Sequence, residues 1–354
     1  MNVELGVLSA VVNRTKSKYP DVKCFDTTQG RFKAIISAVM WADIIVVGGG
    51  ELVQDVSSLF YTPFNLFPLF LALLFRKKSF AWAIGIGQRG ELALCTPILL
   101  KLALWKSSGI TLRDRGSYNV LYKLGFREPQ IKLTADCALT LSVKKSSLLS
   151  SPILGIAPRN VSNRQRKLLP LELRKKMKNY VEPNPRPAAK KWAELLDLFC
   201  KENEVEQVVL FPFHTGSLSN DDFSFCELIQ SMVKSEVSIE IADLSLPHKF
   251  LKRIADCRVL VSSPLHGLIM AFVSGTIPVT VSYSSKCTRF MELAELESLT
   301  SDEKACVPTK SVQKTLDYAW NNSEEIKKQM LNVSSKLVNR AQKTEENFRK
   351  VFGL

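Results

Sequence analysis

Histidine is scarce in this chain of 354 residues, which has only His214, His248 and His266. Its eight cysteines include no C-x-x-C pair, which removes the commonest zinc and dithiol signatures. Several sit in apolar strand or helix contexts, where cysteine acts as a small hydrophobe, and this usage reads as that of a reducing, cytoplasmic compartment. Glycine and proline number 16 each, too few for a collagen-like or low-complexity chain. The opening residues, MNVELGVLSAVVNRTK, lack a secretory pattern. No internal repeat appears. Charge is absent from residues 56–75, a run long enough to span a bilayer. Pro63, Asn65 and Pro68 interrupt it, and Ser57 and Ser58 open it, so a buried or surface-docking helix is the stronger reading.

Apolar residues make up 46 % and charged residues 23 %, which excludes a disordered chain. The length fits two domains with substantial cores. With 48 Lys and Arg against 34 Asp and Glu, the formal charge is +14. Residues 144–191 hold 13 of the basic residues and 2 acids, or +11, leaving +3 for the rest. Such a belt on a nearly neutral protein attracts nucleic acid, anionic lipid or an anionic substrate, or is simply a solvated face. It has few aromatics for base stacking, so nucleic acid is not the expected partner.

Strand-then-helix units dominate the chain. Residues 22–25 read as a short strand and 31–41 as a helix. The apolar run 43–47 reads as a buried parallel strand feeding a glycine turn, Gly48, Gly49 and Gly50. Strands follow at 79–86 and 110–112, with helices at 59–75, 97–106 and 117–124. Residue 125, a glycine, stops the last of these. After the belt, with a strand at 153–157, alternation resumes. Strands are expected at 207–211, 238–241, 258–261 and 277–281, and helices at 190–203, 222–233, 247–255 and 266–274. Ile326, Met330, Val333, Leu337 and Ala341 recur at helical spacing and mark an amphipathic C-terminal helix. The pattern predicts an α/β protein of two doubly wound domains facing a cleft. The divisions are 1–145, a basic linker with a strand at 146–190, a second domain at 191–310, and C-terminal helices at 311–354. Ligands of such folds sit at the carboxyl ends of strands.

Candidate chemistry collects at those ends. The glycines at 48–50 leave room for a ligand to approach backbone N–H groups, although they form neither a dinucleotide fingerprint nor a Walker loop. Arg113 stands at a strand end, followed by Asp114 and Ser117; it is placed to fork onto carboxylate or phosphate, or else to pair with Asp114 and hold the turn. Arg159 ends the strand 153–157 in the same way. His214 and His266 follow strands of the second domain and are suited to general acid or base chemistry near neutral pH. His248 reads as surface. Tyr283 and Lys286 follow the strand 277–281, where Lys286 is an anion contact or an exposed loop lysine.

Together these segments resemble the polysaccharide pyruvyl transferase family. The residues carrying the likeness are GGGELVQD (Gly48 to Asp55), RDRGS (Arg113 to Ser117), SSPLHG (Ser262 to Gly267), GTIP (Gly275 to Pro278) and YSSK (Tyr283 to Lys286). The likeness covers roughly residues 1–295. Two departures stand out. Pro264 sits two residues before the histidine, where many members carry Arg, and the family's opening strand and Asn-x-Gly-Asp-Glu turn fall at or before Met1. Either a truncated N-terminus or an absent first strand is therefore expected. The resemblance implies two Rossmann-like halves of the GT-B type and transfer of the enolpyruvyl unit of phosphoenolpyruvate to sugar hydroxyls, giving a pyruvate ketal and phosphate. It implies His266 as general acid and Arg113, Arg159, Lys286 and Leu265 as donor contacts, with Asp114 orienting its neighbours and no cofactor or metal. A glycan or lipid-linked oligosaccharide is the expected acceptor, with peripheral membrane association through the belt. A nucleotide-sugar glycosyltransferase of the same architecture and a non-catalytic glycan-binding relative remain alternatives.

Overall fold

Apolar runs bounded by glycine or polar turns become parallel strands where helices pack against the sheet. The computed structural model describes residues 3–56, 58–88, 90–141, 152–160, 184–214, 221–243, 247–282, 284–302 and 306–354. They divide into two compact units. The first takes in the described residues through Cys137 together with Arg340–Leu354, and the second takes in those from Ala138 to Asn339.

The first unit runs β1 (Gly6–Ser9), α1 (Val12–Lys18), β2 (Lys23–Asp26), α2 (Arg31–Trp41), β3 (Ile44–Val53), α3 (Tyr61–Leu74), β4 (Lys78–Ile86), α4 (Thr96–Leu104), β5 (Gly109–Leu112), α5 (Arg115–Lys123) and β6 (Ile131–Leu133). Strands β3, β4, β5 and β6 pair in that order, all parallel, while β1 and β2 form a separate parallel pair. The core joins Val53, Ile84 and Leu112 of the sheet to Leu66, Leu69 and Leu100 of the helices. The uncharged segment 56–75 supplies α3, which buries Leu66, Leu69 and Ala72 and leaves Leu73 and Leu74 exposed. No helix of the described residues is long and apolar enough to cross a membrane.

The second unit runs β7 (Ile153–Ala157), α6 (Arg186–Glu202), β8 (Gln207–Leu210), α7 (Asp222–Gln230), β9 (Ser238–Ile241), α8 (Pro247–Ala255), β10 (Val259–Ser262), α9 (Leu265–Ser274), β11 (Ile277–Ser282), α10 (Ser285–Leu293), β12 (Thr300–Asp302), α11 (Lys310–Asn321) and α12 (Ser323–Phe352). Its sheet has the order β12-β11-β10-β7-β8-β9, every pairing parallel. In order of appearance that is 6-5-4-1-2-3, the doubly wound Rossmann order, whose direction of winding reverses between β7 and β10. Ile326, Met330, Val333, Leu337 and Ala341 form the buried stripe of α12. The end of that helix belongs to the first unit, where Arg340 Nε donates to the Thr134 carbonyl at 2.9 Å and the Phe348 ring packs 5.2 Å from Phe80.

Several details differ from the expectation. Gly48, Gly49 and Gly50 do not form a turn after the strand; β3 continues through them to Val53, with Gly48 opposite Trp82 and Gly50 opposite Ile84. A Cβ on Gly48 would lie 2.4 Å from the Trp82 Cβ, and Gly49 and Gly50 take φ of 75° and 93°, so each must be glycine for a steric or conformational reason. Strands β1, β6 and β12, each of three or four residues, were not predicted. The C-terminal part is two helices, α11 and α12, and the stripe Ile326 to Ala341 belongs to the second. Most of the basic belt, at residues 144–151 and 161–183, lies outside the described residues.

Candidate functional site

In the first unit the Arg113 to Ser117 block is a structural knot. Asp114 caps α5, its Oδ1 accepting from the Ser117 N–H at 2.9 Å and its Oδ2 from the Ser117 hydroxyl at 2.9 Å. Ser117 Oγ in turn accepts from the Ile86 N–H at 2.8 Å, fastening α5 to the end of β4. The block's Arg113 does not stand open at its strand end. It is 5 % exposed, with Nη1 3.1 Å from Asp136 Oδ2 and Nε 3.9 Å from Asp114 Oδ2. Its charge is therefore met inside the unit by two carboxylates, and the expected open anion contact is not what the geometry provides. Gly85 makes this possible, since a Cβ there would lie 2.7 Å from the Arg113 Nε. Gly85, Gly87 and Gly90 have the G-x-G-x-x-G spacing, which the sequence reading passed over; the next helix starts only at Thr96, so the loop does not open a helix as a dinucleotide fingerprint does. Asp55, the last residue of the glycine motif, is buried and accepts from Thr96 Oγ1 at 2.6 Å and from the Ala93 N–H at 2.7 Å. It fixes the same loop.

In the second unit the carboxyl ends of β7, β8, β10 and β11 are stitched together. The Ser263 N–H donates to the Ala157 carbonyl at 3.0 Å, joining the ends of β10 and β7. Cys287 Sγ, buried at the start of α10, lies 3.6 Å from the Ser263 carbonyl. Phe213, after β8, reaches Gly267 of α9, where a Cβ would stand 3.3 Å from its ring and 2.2 Å from Ser262 Oγ. Glycine at 267 thus lets the first turn of α9 lie directly on the end of β10. Pro264 fits the N-cap of α9 with extended backbone, and Leu265 opens the helix.

Around this platform stand the sequence-predicted residues of the second unit. Arg159 follows β7 and is half-buried, while His214 follows β8 and His266 lies in the first turn of α9, both exposed. Lys286 is in the first turn of α10, half-buried. Tyr283 lies outside the described residues. Arg159 and His266 thus follow β7 and β10, the two strands that flank the switch point, where ligands of doubly wound sheets bind. The N-terminus of α9 adds a positive dipole end at the same place. The hydroxyls of Ser263 and Thr280 are buried with no hydrogen-bond partner among the described residues.

Asp222 was not among the predicted site residues. It is buried, and its Oδ2 accepts from the His214 N–H at 2.8 Å while its own N–H donates to the His214 carbonyl at 2.8 Å. Burial pushes its carboxyl up to about 6, against the pull of the Arg159 charge and of the His214 and Phe213 N–H groups. Asp222 thus fixes the backbone of His214 and faces Arg159. Its proximity in sequence to His214 was the only available signal. Among the described residues, no group of three His, Cys, Asp or Glu side chains is arranged to hold a metal.

The fold has relatives among solved structures. The UDP-GlcNAc 2-epimerase of Neisseria meningitidis bound to UDP-GlcNAc superposes with a TM-score of 0.63 at 12 % identity, over 99 % of this chain and 92 % of that one. MnaA of S. aureus with UDP gives 0.60 at 11 % identity, over 99 % and 96 %. HepE of Anabaena in complex with UDP gives 0.59 at 11 % identity, over 98 % and 91 %. At such identities the likeness establishes the fold, a GT-B-like pair of Rossmann-type domains, and nothing about the ligand. No curated protein sequence matches the chain. The family model for polysaccharide pyruvyl transferase matches residues 2–285, most of the chain, so the chain belongs to the polysaccharide pyruvyl transferase family.

Proposed function

We propose that the protein transfers the pyruvyl unit of phosphoenolpyruvate to two hydroxyls of a glycan, forming a ketal and releasing phosphate. What supports this reading is that Arg159, His266 and Lys286 follow β7, β10 and β11, neighbouring strands of one parallel sheet. Phosphoenolpyruvate carries a carboxylate and a phosphate, and two cations beside a helix N-terminus match that charge. In this scheme His266 gives a proton to the methylene carbon, leaving an oxocarbenium-like centre at the next carbon. One sugar hydroxyl adds there, phosphate departs with the electrons of its C–O bond, and a second hydroxyl closes the ketal. The two hydroxyl protons restore His266 and protonate the phosphate. Arg113, with its charge already met, holds the first unit's turn in place.

The family supports a polysaccharide-type acceptor. A lipid-linked oligosaccharide approached at a membrane surface is the form that suits the basic belt, and failure to float with anionic liposomes would count against it. The test of the donor is incubation with phosphoenolpyruvate and a panel of glycans, reading phosphate release and the mass gain of one ketal-linked pyruvate. The UDP bound by MnaA of S. aureus and HepE of Anabaena motivates a second reading, a nucleotide-sugar transferase, which predicts nucleoside diphosphate release instead.

A further inference from the structure

A helix that packs one side on a sheet keeps charged and polar residues on the other. Helices α3 and α4 do not. The 14 residues of α3 include no charged side chain, and the 9 of α4 include only Lys101. Each buries an inner stripe, Leu66 and Leu69 in α3 and Leu100 and Leu104 in α4, and the two stripes meet in one core. The chain passes from β3 through α3 to β4 and through α4 to β5, neighbouring strands taken in order, so right-handed crossovers set both helices on the same face of the sheet. The outward side chains there stay apolar. Leu74 is 71 % exposed, and Leu94, Ile98 and Trp105 are 100 %, 65 % and 58 % exposed. Ile98, Leu102 and Trp105 recur at helical spacing and form one exposed stripe of α4, opposite the buried Leu100, Ala103 and Leu104. The rim of this face is basic. Arg76, Lys77 and Lys78 follow the last turn of α3, Lys106 follows Trp105, and Lys101 Nζ lies 5.9 Å from the centroid of the Trp105 ring. From Tyr61 to Lys106 the sequence holds six basic residues and one acid, Glu91, whose carboxylate accepts from the Gln88 N–H of its own loop at 2.7 Å.

We propose that the outer face of α3 and α4 docks on an anionic membrane surface, with Leu74, Ile98, Leu102 and Trp105 entering the interface and the lysines and arginines of the rim at the level of the lipid phosphates. Leucine and tryptophan on a helix face beside lysine are the make-up of an interfacial helix. Tryptophan favours the headgroup boundary, and each Lys or Arg held near anionic lipid adds attraction. At 14 residues α3 is too short to span a bilayer, which takes about 20, so the contact lies on the surface. Charge argues against a second copy of the chain as the occupant. In a two-fold contact the same face meets itself, so Lys101 and Lys106 would meet like charges with Glu91 as the single acid to answer them. The contact uses residues of the first unit, outside the basic belt at 144–191, and it stands whatever the donor of the transfer reaction.

The test floats the full chain with vesicles of phosphatidylcholine containing about 30 % phosphatidylserine. The expected result is binding tenfold or more tighter than to phosphatidylcholine alone, weakening as salt rises from about 0.1 to 0.5 M. Leu74→Glu with Trp105→Glu should reduce binding tenfold or more, while Leu331→Glu, at an exposed site on α12, should leave it unchanged. Brominated lipid should quench the tryptophan emission of the bound protein, and Trp105→Phe should lose that quenching while still floating. If the double variant fails to fold, the quenching difference between the unsubstituted protein and Trp105→Phe decides. Undiminished flotation of the folded double variant overturns the proposal and hands the contact to the belt. So does absence of binding to the anionic vesicles. So does a dimer, seen by sedimentation, that the same two substitutions dissociate, since the face would then belong to a second copy. None of these readouts needs phosphoenolpyruvate or a glycan, so their failure is distinct from failure of the transferase reading.

Discussion

Replacing Asp136 with Ala isolates the structural role of Arg113. In the native unit the guanidinium is 5 % exposed and shared between Asp136 at 3.1 Å and Asp114 at 3.9 Å. Removing one partner of a buried ion pair costs about 3–5 kcal/mol, because the remaining charge is left without its counterion. Asp114 stays, so the lower end applies, about 3 kcal/mol. For a domain of this size each kcal/mol shifts Tm by roughly 2–4 °C, giving a fall of roughly 6–12 °C by calorimetry. The double variant Arg113→Met with Asp136→Leu removes both charges and restores an apolar fill, so it should recover most of that loss. It should also keep the KM for phosphoenolpyruvate within about threefold. A double variant that is stable yet loses donor affinity tenfold or more would refute the reasoning and return Arg113 to the donor site.

Other consequences are as direct. Asp222 has a folded-state pKa of about 6, above its ordinary 3.8, so the folded protein holds a proton that the unfolded chain gives up between those values. This contribution to stability is present below about pH 4 and is lost as pH rises through 6, a difference of about 3 kcal/mol at about 1.4 kcal/mol per unit. Asp222→Asn, whose Oδ1 can still accept from the His214 N–H, should remove that slope from Tm measured between pH 4 and 7; an unchanged slope would show that Asp222 does not titrate there. Gly267→Ala places a Cβ 2.2 Å from Ser262 Oγ, which must turn away from its 2.9 Å bond to the Pro264 carbonyl. The cost is about 2–3 kcal/mol from overpacking plus one lost hydrogen bond, read as a lower urea midpoint, and Ser262→Ala with Gly267→Ala should recover part of it.

The winding of the second unit was largely legible. The strands 153–157 and 238–241 and the helix 247–255 coincide with β7, β9 and α8, which a short apolar run, the alternation of Ile239 and Ile241 with polar neighbours, and amphipathic helical spacing mark locally. What the sequence hid was pairing across distance. Arg113 reads as an open strand-end cation until Asp136, 23 residues on, is folded beside it. The glycines at 48–50 read as a turn because glycine usually punctuates a strand, whereas here the Trp82 backbone crowds one of them and positive φ occupies the other two. Asp222 has no pattern of its own, and only burial beside His214 and Arg159 gives it meaning. The expectation of a truncated N-terminus or an absent first strand rested on the family pattern. The structure adds a short parallel strand, β1, that apolar spacing did not reveal.

The central claim is that His266 protonates phosphoenolpyruvate on the platform built by β7, β10 and β11. The most direct measurement compares the unsubstituted protein with His266→Ala, both given phosphoenolpyruvate and a glycan panel. The account predicts phosphate release matched by a pyruvate ketal on a glycan, reduced about 100-fold or more in His266→Ala with the fold intact. Undiminished turnover by His266→Ala, or nucleoside diphosphate release from a nucleotide sugar in place of phosphate release from phosphoenolpyruvate, would contradict it.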